Sequence, residues 1–482
     1  MVRWLIIGHR WLGIATCLLF ALWFLSGLVM MYMPFPSLAA KERLSLQERI
    51  DWTRIAITPE RALHGLALAS FPRELRLEMM AGEPVYRVQP LDAPRIAVSA
   101  VDGRIIQKVD AADARAIVAS VAGRSDMLTV TTLESDQWSV AQTFNQHRPL
   151  HRVALNDALG TELYVSSRTG EIVLDTHARE RAWNWVGAVL HWMYFRDLRA
   201  HPAVWSQVVM WTSGVGIAVA LTGLWLGIDR LRLRRRYRGR DVTPYRGWMA
   251  WHHIAGLVGG VFVVTWIFSG WLSMGPPVPW NREPDVQRMA AGNAAFLGND
   301  RPDFPSSLDV LSSLHPRDVR EAAFVWSLGH PLLVLKSRDA EPLLLDASTG
   351  SPHRFDDAVL TAAAPRLLSD AELVATERLE QEDAYWYSRR GDRPLPVLRF
   401  IFDDPDRTWI HVDPRTGQVL NWMRHGDRID RWLFNALHSL DFRLLLAHRP
   451  AWDIVMWLLS LAGIVISISG VVIGWRRLRT YP

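Results

Sequence analysis

Four stretches of the chain are long and apolar enough to cross a membrane: about His9–Met33, Ala203–Ile228, Trp251–Met274 and Trp452–Trp475. A hydrocarbon core of about 30 Å takes roughly 20 residues of helix, and a helix satisfies its own backbone where no water can. The sequence therefore predicts four transmembrane helices. The apolar part of the first is longer than the ~7–15 residues of a signal-peptide core, so it is read as a span rather than a cleaved leader. Charged, Pro-containing stretches at 34–182 and 275–430 have the size of globular inserts. Shorter apolar segments at 183–201 and 431–448 read as interfacial helices before the second and fourth spans, and 229–250 is a loop. The 24 tryptophans suit a chain with two membrane–water boundaries, since indole is an apolar ring with one N–H to satisfy.

Charge sets the orientation. Arg230, Arg232, Arg234, Arg235, Arg236, Arg238, Arg240 and Arg246 crowd one loop, and Arg476, Arg477 and Arg479 end the chain. Basic loops stay in the cytoplasm, so both termini are expected there, with the inserts across a bacterial inner membrane in the periplasm. The net charge of +5 is mild and clustered, with no nucleic-acid footprint. The single cysteine, Cys17, excludes a disulfide framework, a cysteine-ligated zinc site, an iron–sulfur cluster and the C-x-x-C-H attachment of c-type haem.

The chain also resembles itself. His9, Gly13, Trp23 and Ser26-Gly27 align on His252, Gly256, Trp266 and Ser269-Gly270 at an offset of 243 residues. His191, Phe195-Arg196, His201 and Trp205 align on His438, Phe442-Arg443, His448 and Trp452 at an offset of 247, which also pairs Gly223 and Gly227 with Gly470 and Gly474. Both copies begin on the same side, so the expected fold is a membrane α-helical bundle of four transmembrane helices from two parallel repeats, related by an axis along the membrane normal. The Gly-x-x-x-Gly pairs admit close helix packing or a flat cofactor.

Each insert ends in a strand–turn–strand pattern, Leu163–Val173 with Thr169-Gly170 and Trp409–Leu420 with Thr416-Gly417; in both, apolar alternation flanks a glycine suited to positive φ. Weaker copies at Val98–Ile106 and Leu343–Gly350 suggest two α+β modules per insert, with helices at Ala111–Ala122 and Asp370–Glu382. The hairpins resemble the PepSY module, and the His-x-x-x-Gly…Ser-Gly and His…Thr/Ser-Gly helices resemble the PepSY-associated transmembrane family, over nearly the whole chain. The resemblance implies α+β PepSY-like periplasmic inserts. Some members of that family resemble siderophore-linked inner-membrane iron reductases that carry b-type haem. In the first hairpin Ser166 and Ser167 stand where Asp-Pro is usual, which argues against a catalytic turn.

Ionisable groups beside membrane spans are costly and mark function. His9 and His252 open the first and third spans, His191 and His438 lie in the interfacial segments, and His201 and His448 stand at the outer edge. Imidazoles from two helices can clamp a b-type haem, and the repeat gives each histidine a twin. The expected ligands are His9 with His252 inside and His191 with His438 outside, giving two b haems. His201 and His448 are reserves for the outer site, and His253 for the inner one. Interfacial histidines bonded to headgroups, and a four-histidine copper or zinc site, remain open beside it. Arg10, Arg196 and Arg443 are candidates for haem propionates or for snorkelling. Trp11, Trp23, Trp192 and Trp266 are candidates for porphyrin contact or for the aromatic belt.

No G-x-G-x-x-G opens a helix after a strand, and no His-Glu-x-x-His, P-loop or Gly-x-Ser-x-Gly occurs. The cytoplasmic parts are too small for a flavin or nicotinamide domain, so an electron donor would be a separate reductase or a membrane quinol. Candidate contacts for an anionic ferric siderophore are Tyr385-Trp386-Tyr387 with Arg389 and Arg390, and His147–His151, whose Arg148-Pro149-Leu150 aligns on Arg393-Pro394-Leu395. The rival expectations are a non-enzymatic PepSY protein that binds peptides or restrains a secreted protease, and a transport accessory.

Overall fold

The computed structural model describes residues 2–123, 127–231, 242–280, 282–299, 301–313, 318–389 and 393–480; Arg232, Arg234, Arg235, Arg236, Arg238, Arg240 and Arg390 lie outside the described residues. Four helices are long and apolar enough to cross a membrane: α1 (Val2–Met30), α2 (Pro202–Asp229), α3 (Trp248–Leu272) and α4 (Arg449–Arg479). Helix α1 packs on α4, α4 on α3, α3 on α2 and α2 more lightly on α1. Phe20, Phe24, Val219, Val263, Trp266 and Ile267 fill the centre of this ring. Small residues set its tightest approaches: a Cβ on Gly463 would strike the Phe24 ring and one on Gly216 the Phe20 ring, as in other close helix contacts within membranes.

The inserts emerge from one end of the bundle, here the insert end; the α2–α3 connection marks the loop end. They are not four independent modules. One seven-stranded sheet is shared between them, in the order Leu343–Asp346, His330–Ser337, Val319–Ser327, Glu74–Met80, Glu83–Gln89, Ile96–Ser99, Ile105–Ile106. Its central join is antiparallel, Arg76 opposite Ala323 and Leu77 opposite Ala322. Each insert then has its own four-stranded antiparallel sheet, in the orders Thr129–Leu133, Leu150–Ala154, Glu162–Ser166, Ile172–Thr176 and Leu373–Leu379, Val397–Phe402, Trp409–Val412, Val419–Met423. The hairpin turns contain Gly170 and Gly417 at φ of 72° and 66°.

Three expectations change. The stretch Asp370–Glu382 is not helical: Leu373–Leu379 is an edge strand paired with Val397–Phe402. Its Val374 and Thr376 favour the pleat, and Glu377 and Arg378 guard the exposed edge. The interfacial segments are not continuous helices either. The first breaks into Ala178–Val186, Ala188–His191 and Arg196–Arg199. The second breaks into His425–Asp430, a π-helical turn Arg431–Ala436, Leu437–Ser439 and Arg443–Ala447. Each is stopped two residues past its histidine by a left-handed residue, Met193 (φ 51°) and Leu440 (φ 49°). Finally, Pro149 precedes the strand Leu150–Ala154 as Pro396, not Pro394, precedes Val397–Phe402, so the whole second part of the inserts keeps the 247-residue offset.

The shared sheet has two buried faces of opposite chemistry, as strand alternation requires. Leu75 and Leu77 point into a core with Trp52, Tyr86, Phe304 and Phe324. Arg76, 4% exposed, points the other way into charges from both inserts: it pairs with Glu171, Arg43 pairs with Glu321, Lys336 reaches Glu321 at 2.9 Å and Arg87 reaches Glu78 at 2.6 Å. Burial opposes ionisation of these carboxylates, but the guanidiniums outweigh it. Arg76, Arg95 and Arg87 hold Glu171 well below the usual range, and Arg43, Lys336 and Arg76 hold Glu321 down to about 2. A depressed carboxylate stabilises the fold above its unfolded value of 4.5 and loses that contribution as pH falls through about 2. The seam between the inserts is therefore predicted to loosen between those values, read as a falling melting temperature. Glu171→Gln, which removes one carboxylate from Arg76 but leaves it Glu74 at 2.9 Å and Glu78 at 3.6 Å, is predicted to cost less than the roughly 3 kcal/mol of a fully broken buried pair at neutral pH.

Candidate functional site: two facing histidine pairs

Four histidine rings are each held in the same kind of cradle by another segment of the bundle. His9 on α1 lies against α2: its Nδ1 is 3.1 Å from the Val219 carbonyl and 3.5 Å from Thr222 Oγ1. His252 on α3 lies against α4, with Nδ1 3.0 Å from the Ile466 carbonyl and 3.1 Å from Ser469 Oγ. His191, just before α2, lies against the end of α1, 3.1 Å from the Trp23 carbonyl and 3.2 Å from Ser26 Oγ. His438, just before α4, lies against α3, 3.2 Å from the Trp266 carbonyl and 3.0 Å from Ser269 Oγ. The next residue in every cradle is glycine. A Cβ at Gly223, Gly470, Gly27 or Gly270 would stand 2.6, 3.6, 3.4 or 3.4 Å from Cε1 of the ring it faces.

The local sequence explains this. In Trp23–Gly27, Val219–Gly223, Trp266–Gly270 and Ile466–Gly470, a carbonyl, a hydroxyl three residues on and a glycine four residues on share one helix face. Each hydroxyl donates to a carbonyl of its own helix: Ser26 to Trp23 at 3.1 Å, Ser269 to Trp266 at 3.0 Å, Thr222 to Ala218 at 2.7 Å and Ser469 to Val465 at 2.6 Å. Its oxygen is then free to accept. A carbonyl can only accept, so Nδ1 must carry the proton in all four rings. Nε2 is then left as a bare lone pair, and among the described residues none of the four Nε2 atoms has a hydrogen-bond partner.

The rings face one another in two pairs. His9 and His252 have ring centroids 6.3 Å apart at the loop end, and His191 and His438 have theirs 6.1 Å apart at the insert end. Two imidazoles bound to one metal at about 2 Å per nitrogen place their centroids roughly 6.3 Å apart, so both pairs match the spacing of a bis-imidazole clamp. Nδ1–H donated to a carbonyl, which fixes tautomer and ring direction, is the usual support of a metal-binding imidazole. Two further donors have no acceptor: Trp23 Nε1 and Trp266 Nε1 are buried without a hydrogen bond, on the residues whose carbonyls anchor the insert-end pair. The donor set thus fits b-type haem.

The two pairs do not merge into one centre. His9 and Gly27 are 18 residues apart on α1, roughly 27 Å at about 1.5 Å per residue. A four-histidine copper or zinc site is therefore not formed, and no group of three or more His, Cys, Asp or Glu able to hold a bare metal ion occurs among the described residues. Between the levels the core is aromatic. Phe20 stacks on Trp23 with centroids 5.7 Å apart, and Phe24 meets Trp266 at 5.7 Å.

The other candidate residues fall elsewhere. His253 spends both nitrogens within the protein, on Thr243 Oγ1 at 2.8 Å and the Gly227 carbonyl at 2.9 Å, so it is a latch and not a reserve ligand. His201 and His448 are exposed caps at the starts of α2 and α4, and the ring of His448 turns back to the Leu444 carbonyl at 2.9 Å. Arg10, Arg196 and Arg443 are exposed, and Arg196 pairs with Asp197 beside it. Trp11 and Trp192 are 44% and 38% exposed, as belt residues are. Of the acceptor candidates, His147 and His151 are buried, and His151 bonds Thr132 and the Val109 carbonyl. Trp386 is 2% exposed and stacks on His411. Tyr387 and Arg389 both hold Asp441, and Arg389 also reaches the Ser439 carbonyl at 3.2 Å. Arg389 is thus bonded to the residue next to His438, though the sequence offered it for a different role.

A family model of the PepSY-associated TM region matches residues 7–323. The chain belongs to the PepSY-associated transmembrane family. The matched region holds most of α1, then α2, α3, the first insert and the start of the second, so three of the four cradles of this PepSY-associated chain lie inside it; that of His252 on α4 lies beyond. No curated protein matches the chain.

The cradles predict one tautomer. In ¹⁵N-histidine spectra of the metal-free protein, His9, His191, His252 and His438 are expected as Nδ1–H with Nε2 unprotonated. Nε2–H signals from these rings would contradict the assigned bonds.

Proposed function

We propose that this PepSY-associated protein is a di-haem b-type oxidoreductase of a bacterial inner membrane, passing electrons across the bilayer to a periplasmic acceptor, the ferric iron of a siderophore. The observation that carries the reading is the pair of facing imidazole sets, each 6.1–6.3 Å between centroids and each with Nδ1 tied to backbone. His9 with His252, and His191 with His438, would hold one haem each. Bound there, haem supplies one-electron iron chemistry, with potential set in part by its axial ligands. The chain's own task is to orient the imidazoles, keep water from the core through Phe20, Trp23, Phe24 and Trp266, and present the outer site beneath the inserts.

Two finer features belong to the same proposal. Matched cradles at offsets of 243 and 247, together with the antiparallel join of Glu74–Met80 to Val319–Ser327, support two parallel repeats about an axis along the membrane normal. Arginine at the loop end and in the last turn of α4 supports cytoplasmic termini and periplasmic inserts. Lipid surrounds the spans. The donor is a separate cytoplasmic reductase or a quinol.

The test is an absorption spectrum of protein purified after haem-replete expression, reduced with dithionite. Sharp b-type bands are expected. Substituting Ala for His191 or His438 is expected to remove about half the haem, and Ala for His9 or His252 the other half. Gly223→Val, which drives a side chain into the His9 ring, is expected to act like loss of His9. Colourless protein would favour the rival reading, in which the inserts bind peptide or restrain a secreted protease.

A further inference from the structure

The two histidine pairs are not equivalent, and they differ in the rings packed against them. Phe434 lies flat on His438, with centroids 5.2 Å apart and planes 22° from parallel. It occupies the π-helical turn Arg431–Ala436, a rare geometry often found at functional sites. The turn is well braced. The guanidinium of Arg431 donates to the carbonyls of Ala384 and Asp441, and the buried Asp441 carboxylate takes Tyr387 at 2.9 Å and Arg389. The position 247 residues earlier is Gly187, where a Cβ would meet Val29 at 3.0 Å and the Trp183 carbonyl at 3.3 Å. The space there is tight, and among the described residues no ring stacks on His191; that of His438 meets it edge-on at 75°. At the loop end the planes of His9 and His252 make 47°.

A histidine ring turns freely about χ2 over a broad range. The Nδ1 contacts to carbonyl and hydroxyl set the direction of Nε2 but tolerate some tilt of the plane. A contact on the flat face narrows that tilt, and among the described residues His438 is the one of the four with a stacked ring. We propose that Phe434 is a positioning residue of the outer site: it locks the imidazole plane of His438 nearly perpendicular to that of His191, so that the two sites differ in axial-ligand orientation. The proposal rests on the haem reading above. Two perpendicular imidazoles donate π density equally to both iron orbitals of matching symmetry, whereas planes closer to parallel split them. Outer and inner ferric centres should then differ in spectroscopic anisotropy and in potential.

The experiment is low-temperature electron paramagnetic resonance and a redox titration of the full-length protein, purified with its haem in lipid nanodiscs. The unaltered protein is expected to give two low-spin ferric signals, one of them highly anisotropic and lost in His191→Ala. Phe434→Leu, which keeps apolar volume without a flat face, is expected to retain both haems while the anisotropic signal moves toward the other and one of two midpoint potentials shifts. Phe434→Tyr is expected to restore both. Signals and potentials unchanged in Phe434→Leu would overturn the proposal. So would loss of a haem in Phe434→Leu, because the ring would then be pocket wall and not a plane lock. Absence of b-type bands in the unaltered protein would instead overturn the haem reading, and this inference with it.

Discussion

A bare imidazole nitrogen can face the middle of a membrane bundle only if the other nitrogen is held. The Nδ1–H to carbonyl bond does this at His9, His191, His252 and His438. Because a carbonyl only accepts, the bond fixes the tautomer as well as the direction of the ring. Each cradle also ends in glycine: at Gly223 a Cβ would stand 2.6 Å from the His9 ring, and at Gly27, Gly270 and Gly470 it would sit in contact with the ring it faces. The hydroxyl of each cradle satisfies its own helix and still accepts, so neither it nor the Nδ1–H is left without a partner. One bond therefore links helix choice, glycine placement and the direction of the lone pair.

The inserts complete the arrangement from outside. His191 and His438 do not sit on spans but on short helices at the feet of the inserts, each stopped by a left-handed residue. The indoles of Trp205 and Trp452 bond the carbonyls of Trp192 and Ser439, at 2.9 Å each, and so tie those feet to α2 and α4. Farther out, the shared seven-stranded sheet joins the two inserts directly. The insert-end pair is thus attached to the inserts as well as to the spans, whereas the loop-end pair lies on the spans.

Much of this was legible in the sequence. Apolar length marked the spans, and the recurrence of His9 at His252 and of His191 at His438 marked the rings that meet. What the sequence hid follows from its physics. Gly223 reads equally as helix packing or cofactor space, and only tertiary structure assigns it to the His9 ring. His253 has the same composition signal as His252, but one residue along a helix is about 100° of rotation, enough to turn it from the centre to the Gly227 carbonyl. Edge pairing between Glu74–Met80 and Val319–Ser327 joins segments far apart in the chain, and no local pattern announces it. The charged residues of Leu373–Leu379 mimic a helix surface while serving a strand edge. Met193 and Leu440 carry no signature of a left-handed conformation, so the interfacial helices looked continuous.

The central claim is that each facing pair of imidazoles holds one iron porphyrin. The most direct measurement is the haem-to-protein ratio of the purified full-length chain, by pyridine haemochrome against quantitative amino-acid analysis. The account predicts two b-type haems per chain. A ratio of zero from haem-replete cells would contradict it, leaving the bundle and its cradles without the electron path.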